Sequence, residues 1–123
     1  MLNDRVELLH WTTQEELRNI YDRHGVFLFP SFFEGFGKAF LEAMSRGLCV
    51  VASDAGGMHD IIESGRNGVL VPPGDAEALA DAALQVMRGD ASAMSRAAAA
   101  TAREYSWDRV AQETAAFYKA LRR

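Results

Sequence analysis

The segment from residue 26 to residue 44 constrains this chain more than any other. Val26-Phe27-Leu28-Phe29 is a continuous apolar run that stops at Pro30. A short loop with Gly35 and Gly37 follows, and Phe36, Phe40, Ala43 and Met44 then recur at spacings of three and four. The unbroken run predicts a strand covered on both faces, and the spacing predicts an amphipathic helix. A strand, a glycine loop and a helix in that order leave unpaired N–H groups at the helix start, where the helix dipole favours anions. Two carboxylates bracket the spot. Glu34 lies in the loop and Glu42 about a turn and a half into the helix, with seven residues between them.

The rest of the chain repeats the alternation. Val6-Glu7-Leu8-Leu9-His10 reads as a short strand. Thr12 and Thr13 each stand three residues before a glutamate, which offers a capping box to a helix through Leu17, Ile20 and Tyr21. Gly25 is its expected C-terminal cap. Leu48-Cys49-Val50-Val51-Ala52 is a further buried strand, followed by a second glycine loop at Gly56-Gly57 and a short helix through Ile61 and Ile62. Residues 65–68 read as a turn and Val69-Leu70-Val71 as a strand stopped by prolines. Asp75 and Ser106 can cap later helices, and an alanine-rich helix lies between them. Trp107, Val110, Ala111, Phe117, Tyr118 and Leu121 form one apolar stripe on the last helix. The expected fold is α/β, a parallel Rossmann-like sheet of about four strands with flanking helices. In such sheets ligands bind beyond the carboxyl ends of the strands, and the segments after Leu9, Phe29 and Ala52 all fall at that edge.

Composition narrows the classes. The 123 residues suit one domain, and 49% hydrophobic with 24% charged supports a packed core. A net charge of −4 without a Lys/Arg tract argues against nucleic acid as a partner. Cys49 is the lone cysteine, which fits a reducing compartment, and it reads as a small buried hydrophobe. Met1-Leu2-Asn3-Asp4-Arg5 does not resemble a signal peptide, and no run reaches the ~20 apolar residues of a membrane span. The expectation is a cytoplasmic protein, peripheral to a membrane at most in a full-length form. His10, His24 and His59 are scattered, so no metal site is expected. No cofactor is implied.

Pro30-Ser31-Phe32-Phe33-Glu34-Gly35-Phe36-Gly37-Lys38-Ala39-Phe40-Leu41-Glu42-Ala43 resembles the signature of the retaining GT-B glycosyltransferases, especially family 4, the group 1 glycosyltransferases. Val50-Val51-Ala52-Ser53 before Gly56-Gly57, Asn67-Gly68-Val69-Leu70-Val71 before Pro73-Gly74-Asp75, and Ser106-Trp107 are further marks in the same order. The resemblance implies that residues 1–123 are part of a C-terminal, donor-nucleotide-binding domain. It implies transfer of a hexosyl group, with retention, from a UDP-, GDP- or ADP-linked sugar to an acceptor hydroxyl.

Roles follow from the resemblance alone. Glu34 stands near the donor sugar as the catalytic carboxylate, in a loose sense of the word. Glu42 accepts hydrogen bonds from the ribose hydroxyls. Gly35, Phe36, Gly37 and Lys38 attend the sugar and the diphosphate. His10, after the first run, contacts the base, although the family commonly has glycine there. Lys38 also departs from the family, which usually carries an apolar residue at that place. The bland alternative makes Glu42 a surface acid paired with Lys38 or Arg46.

The family's glycine-rich first strand, its diphosphate-binding Arg and Lys, and its N-terminal acceptor domain have no counterpart in these residues. In the order 3-2-1-4-5-6 the strand at residues 6–9 would be separated from the strand at residues 26–29. Either the two pair directly, or a second copy of the chain covers an exposed sheet edge. The isolated chain is therefore expected to have little transferase activity. The alternative reading is a non-catalytic nucleotide-sugar-binding or oligomerisation module. A nucleotide-sugar epimerase fits the Glu34-Gly35-Phe36-Gly37 wording less well.

Overall fold

The structure, a computed structural model, describes residues 4–122. Met1-Leu2-Asn3, part of the stretch read against a signal peptide, lies outside them. In chain order the elements are α1 (Gln14–Asp22), β1 (Val26–Phe29), α2 (Lys38–Ser45), β2 (Cys49–Ser53), α3 (Met58–Ile61), β3 (Val69–Val71), α4 (Ala76–Arg88), α5 (Ser92–Arg103) and α6 (Trp107–Leu121). The strands form one parallel sheet in the order β1-β2-β3. Val26 stands opposite Cys49, Phe29 opposite Ala52, and Val51 opposite Val69.

The α/β fold with a parallel sheet is as expected, but the sheet has three strands rather than about four. Residues 6–10 form no strand and are exposed throughout. The physical reason is the lack of a ladder. A strand keeps its shape by pairing, and β1 pairs only with β2 among the described residues. Of the two alternatives expected, the direct pairing of residues 6–9 with residues 26–29 does not occur.

β2 is the centre of the molecule, and all five of its residues are buried. Val50 and Ala52 join Phe40, Met44, Met58 and Ile61 in a core on one side of the sheet. Val51 joins Val71 and Ala82 on the other, where Leu79 and Val86 of α4 complete the cover. Helices on both faces explain the absence of alternation in β2, but the full cover expected of residues 26–29 is not found, because β1 is an edge strand with no fully buried residue and with Leu28 exposed. Burying a side chain such as Phe40, Met44 or Met58 stabilises the fold by roughly 1.5–3 kcal/mol each. Cys49 is only 1% exposed, and burial pushes its thiol pKa up. Alanine-rich α5 packs on α2, with Ala98 fully buried.

Helix starts follow the sequence closely. The Thr13–Glu16 capping box is formed, with Thr13 N–H donating to Glu16 Oε2 at 2.8 Å and Glu16 N–H donating to Thr13 Oγ1 at 3.2 Å. Asp75 and Ser106 cap α4 and α6. The glycine cap expected at Gly25 is not used. Arg23 and His24 close α1 by donating their N–H groups to the Ile20 and Tyr21 carbonyls at 3.2 and 3.0 Å, which leaves Gly25 to lead directly into β1. The Arg46 guanidinium grips the Asp22 carboxylate through two bonds, one of 2.7 Å, and so ties the end of α2 to the end of α1.

The stripe on α6 is real but uncovered. No residue of α6 is buried, and Trp107, Phe117, Tyr118 and Leu121 are all largely exposed. Among the described residues no helix is long and apolar enough to cross a membrane.

Candidate donor-binding site

The site is built where β1 and β2 end. Pro30 stops β1, and the chain turns through residues 31–36 before α2 begins. Ser31 Oγ–H donates to Glu34 Oε1 at 3.0 Å, which steadies a half-buried carboxylate in the loop. Gly37 is the N-cap of α2 with φ of 76°, in the left-handed region where glycine is strongly favoured. No side chain caps α2, so its first amides face outward without a side-chain partner.

The loop after β2 is docked against the first loop. Gly57 N–H donates to the Gly35 carbonyl at 2.9 Å. Gly56 has φ of 56°, and a Cβ built there would stand 1.9 Å from the Glu34 carbonyl oxygen. Gly56 is thus required by contact and by backbone angle, and Gly57 by contact alone, since a Cβ built there would stand 2.8 Å from the Gly35 carbonyl oxygen. Asp54 and His59 close the second loop from outside, with His59 Nδ1 bonded to Asp54 Oδ1 at 2.7 Å. The hydrogen bond to Asp54, and then its charge, raises the His59 pKa above the ordinary imidazole range.

Glu42 projects between two clefts. One, of about 440 Å³, is shared with Phe36, Lys38, Leu41, Tyr105 and Trp107. The other, of about 190 Å³, lies between α1 and α2 and is lined by Gln14, Arg18, Tyr21 and Ser45 as well. Glu42 is half-buried, and its carboxylate makes no hydrogen bond or ion pair among the described residues. The suggested pairing with Lys38 or Arg46 is not formed. Arg46 is taken by Asp22, and the Lys38 ammonium sits 5.8 Å from the centroid of the Trp107 ring. Tyr21, beside Glu42, has its pKa raised, chiefly by burial and then by the Glu42 charge.

The structure therefore gathers Phe36, Lys38 and Glu42 on one cleft, with Glu34, Gly35 and Gly37 on the loop that enters it. His10 is elsewhere. It lines a separate cleft of about 720 Å³ with Trp11, Thr12, Glu16 and Arg23. Tyr105 and Gln14 were not singled out from the sequence. Nothing local marks them, because they reach the site only through the packing of α1 and of the α5–α6 corner on α2. Among the described residues no group of His, Cys, Asp and Glu could hold a metal ion.

With this geometry in place, the comparisons give the class. The family described as Glycosyl transferases group 1 matches residues 1–89, and the chain belongs to that family. It is similar to the amylovoran biosynthesis glycosyltransferase AmsK of Erwinia amylovora, 38% identical over 108 residues that cover 83% of this chain and 26% of that protein. It is equally similar to the D-inositol 3-phosphate glycosyltransferase of Corynebacterium urealyticum, 38% identical over 109 residues, covering 87% of this chain and 26% of that one. Among solved structures, sucrose-phosphate synthase from Thermosynechococcus elongatus superposes with a TM-score of 0.88 at 30% identity, over 96% of this chain and 30% of that chain. Anabaena Alr3699/HepE, solved in complex with UDP-glucose, superposes with a TM-score of 0.84 at 27% identity, over 97% of this chain and 33% of that chain. The chain spans about a quarter of the length of these curated relatives.

Proposed function

We propose that this chain supplies the donor-binding part of a glycosyltransferase that moves a hexosyl group from a nucleotide-diphosphate sugar to an acceptor hydroxyl with retention. The observation that carries the reading is Glu42. A half-buried carboxylate with no hydrogen-bond or ion-pair partner among the described residues, on a helix whose uncapped start lies beside a paired glycine loop, suits a ligand that brings both hydroxyls and phosphates. In this reading Glu42 accepts from the ribose hydroxyls. The N–H groups at the start of α2 and Lys38 stabilise charge that develops on the leaving diphosphate. Glu34, held by Ser31, faces the donor sugar as the catalytic carboxylate. His10 lines a separate cleft, so the base contact that the resemblance implies for it is not part of this reading. The binding of UDP-glucose by Anabaena Alr3699/HepE supports a UDP-, GDP- or ADP-linked donor.

The acceptor hydroxyl is then presented by an acceptor domain outside these residues, and the protein acts in the cytoplasm or at the membrane surface facing it. The outer edge of β1, unpaired among the described residues, is where further strands or a second copy of the chain would add. That edge favours a second reading, a binding or assembly module without turnover. Calorimetric titration with UDP, GDP and ADP on the wild type and on Glu42→Ala tests the site. Binding of one nucleotide that is lost in the variant is expected. No binding of any of them by the wild type rejects a donor site. Measurable sugar transfer by the isolated 123 residues would reject the view that the chain is only a contributing part.

A further inference from the structure

We propose that Trp107 is a positioning residue for Lys38, holding its ammonium beside the start of α2, where it serves the diphosphate of the donor. The inference rests on the donor reading above and adds to it a residue and a mechanism. Lys38 is the first residue of α2, a place where a cation works against the helix dipole. A lysine there would ordinarily swing its flexible stem into solvent. Here the Trp107 ring stands 5.8 Å from Nζ, within the range in which an indole face attracts an ammonium.

Among the described residues Trp107 has no packing duty that accounts for it. It is 77% exposed, and its helix contributes no buried residue. Its position is nevertheless defined, because Ser106 caps α6 just before it, with Arg109 N–H donating to Ser106 Oγ at 3.2 Å. Tyr105, two residues earlier, leans on Phe36 with ring centroids 6.2 Å apart. The α5–α6 corner therefore touches the residue on each side of Gly37, the left-handed pivot of the loop. Phe36, Lys38, Tyr105 and Trp107 all line the cleft that Glu42 enters. The corner thus places a cation and a carboxylate on one cleft, the charge pattern that a nucleoside diphosphate requires.

The test has two arms. Without ligand, the Lys38 side-chain methylenes should show an upfield ring-current shift in NMR spectra that disappears in Trp107→Ala and survives in Trp107→Phe. With ligand, Trp107→Ala and Lys38→Met should each weaken UDP binding about three- to ten-fold, the size of an exposed charge contact, and leave uridine binding unchanged. The double variant should lose no more than either single one, and the loss should shrink as salt is raised. Lys38→Met alters an exposed side chain, so it remains informative even if Trp107→Ala disturbs α6. Additive losses, or wild-type affinity for UDP in Trp107→Ala, overturn the inference while leaving Glu42-dependent binding intact. Failure of the wild type to bind any of UDP, GDP and ADP overturns the donor reading itself. The unliganded spectra then show separately whether the ring holds the ammonium.

Discussion

The backbone of Gly56 lies so close to the carbonyl of Glu34 that no side chain fits between them. Two loops that belong to different strands are therefore one rigid unit. Gly56→Ala should cost roughly 1–3 kcal/mol, from the left-handed backbone and from the forced retreat of the Glu34 loop. Denaturant unfolding with parallel nucleotide titration checks this. A variant as stable as the wild type, and binding as well, would contradict the docked-loop picture.

Asn67 is fully buried and works as an internal clamp. Its Oδ1 accepts from Glu63 N–H at 2.8 Å, while Nδ2 donates to the Ile61 carbonyl and to Thr101 Oγ1, both at 3.0 Å. Asn67→Ala leaves those backbone groups without partners and should destabilise by about 2–4 kcal/mol. Thermal unfolding measures it, and a loss below half a kcal/mol would show that water replaces the amide at little cost.

His59 and Asp54 make the stability of the second loop depend on pH. The hydrogen bond to Asp54 raises the His59 pKa, so the pair's contribution is fully present below the unfolded-state histidine pKa. It is lost as pH rises through the folded-state value. Both side chains are substantially exposed, so the contribution is screened and small. An NMR titration of His59 in the wild type and in Asp54→Asn reads it directly. The midpoint should fall in the variant, and an unchanged midpoint would refute the pairing in solution.

The uncovered helix α6 should be the least protected long helix of the chain. Amide hydrogen exchange is expected to be fast along α6 and slowest in β2, whose residues are all buried. Equal protection in the two would mean that α6 is covered in solution.

These expectations show what could be read from the residues alone. β1, β2 and β3 were visible as unbroken apolar runs, although helices bury both faces fully only at β2 and leave Leu28 of β1 exposed. The Thr13–Glu16 box and the Asp75 and Ser106 caps were visible because capping is local. Residues 6–10 misled because an apolar run reports an appetite for burial, and a strand also needs a neighbour to bond. The α6 stripe misled in the same way, since periodicity names a face and not what covers it. Gly25 was a plausible cap, but Arg23 and His24 had already closed α1. At the site, Glu34, Gly37 and Glu42 could be found from one continuous motif. The Asp22–Arg46 grip, the role of Asn67 and the Trp107–Lys38 contact could not, because each joins residues brought together only by the folded chain.

The burial of Cys49 gives the molecule its own reporter. It is the single thiol of the chain and sits at the start of the innermost strand. A thiol-modifying reagent therefore has one target, and can reach it only when the sheet comes apart. The rate of labelling is a clock for opening of the whole fold, and nucleotide added to the solution should slow that clock in proportion to how tightly it is held.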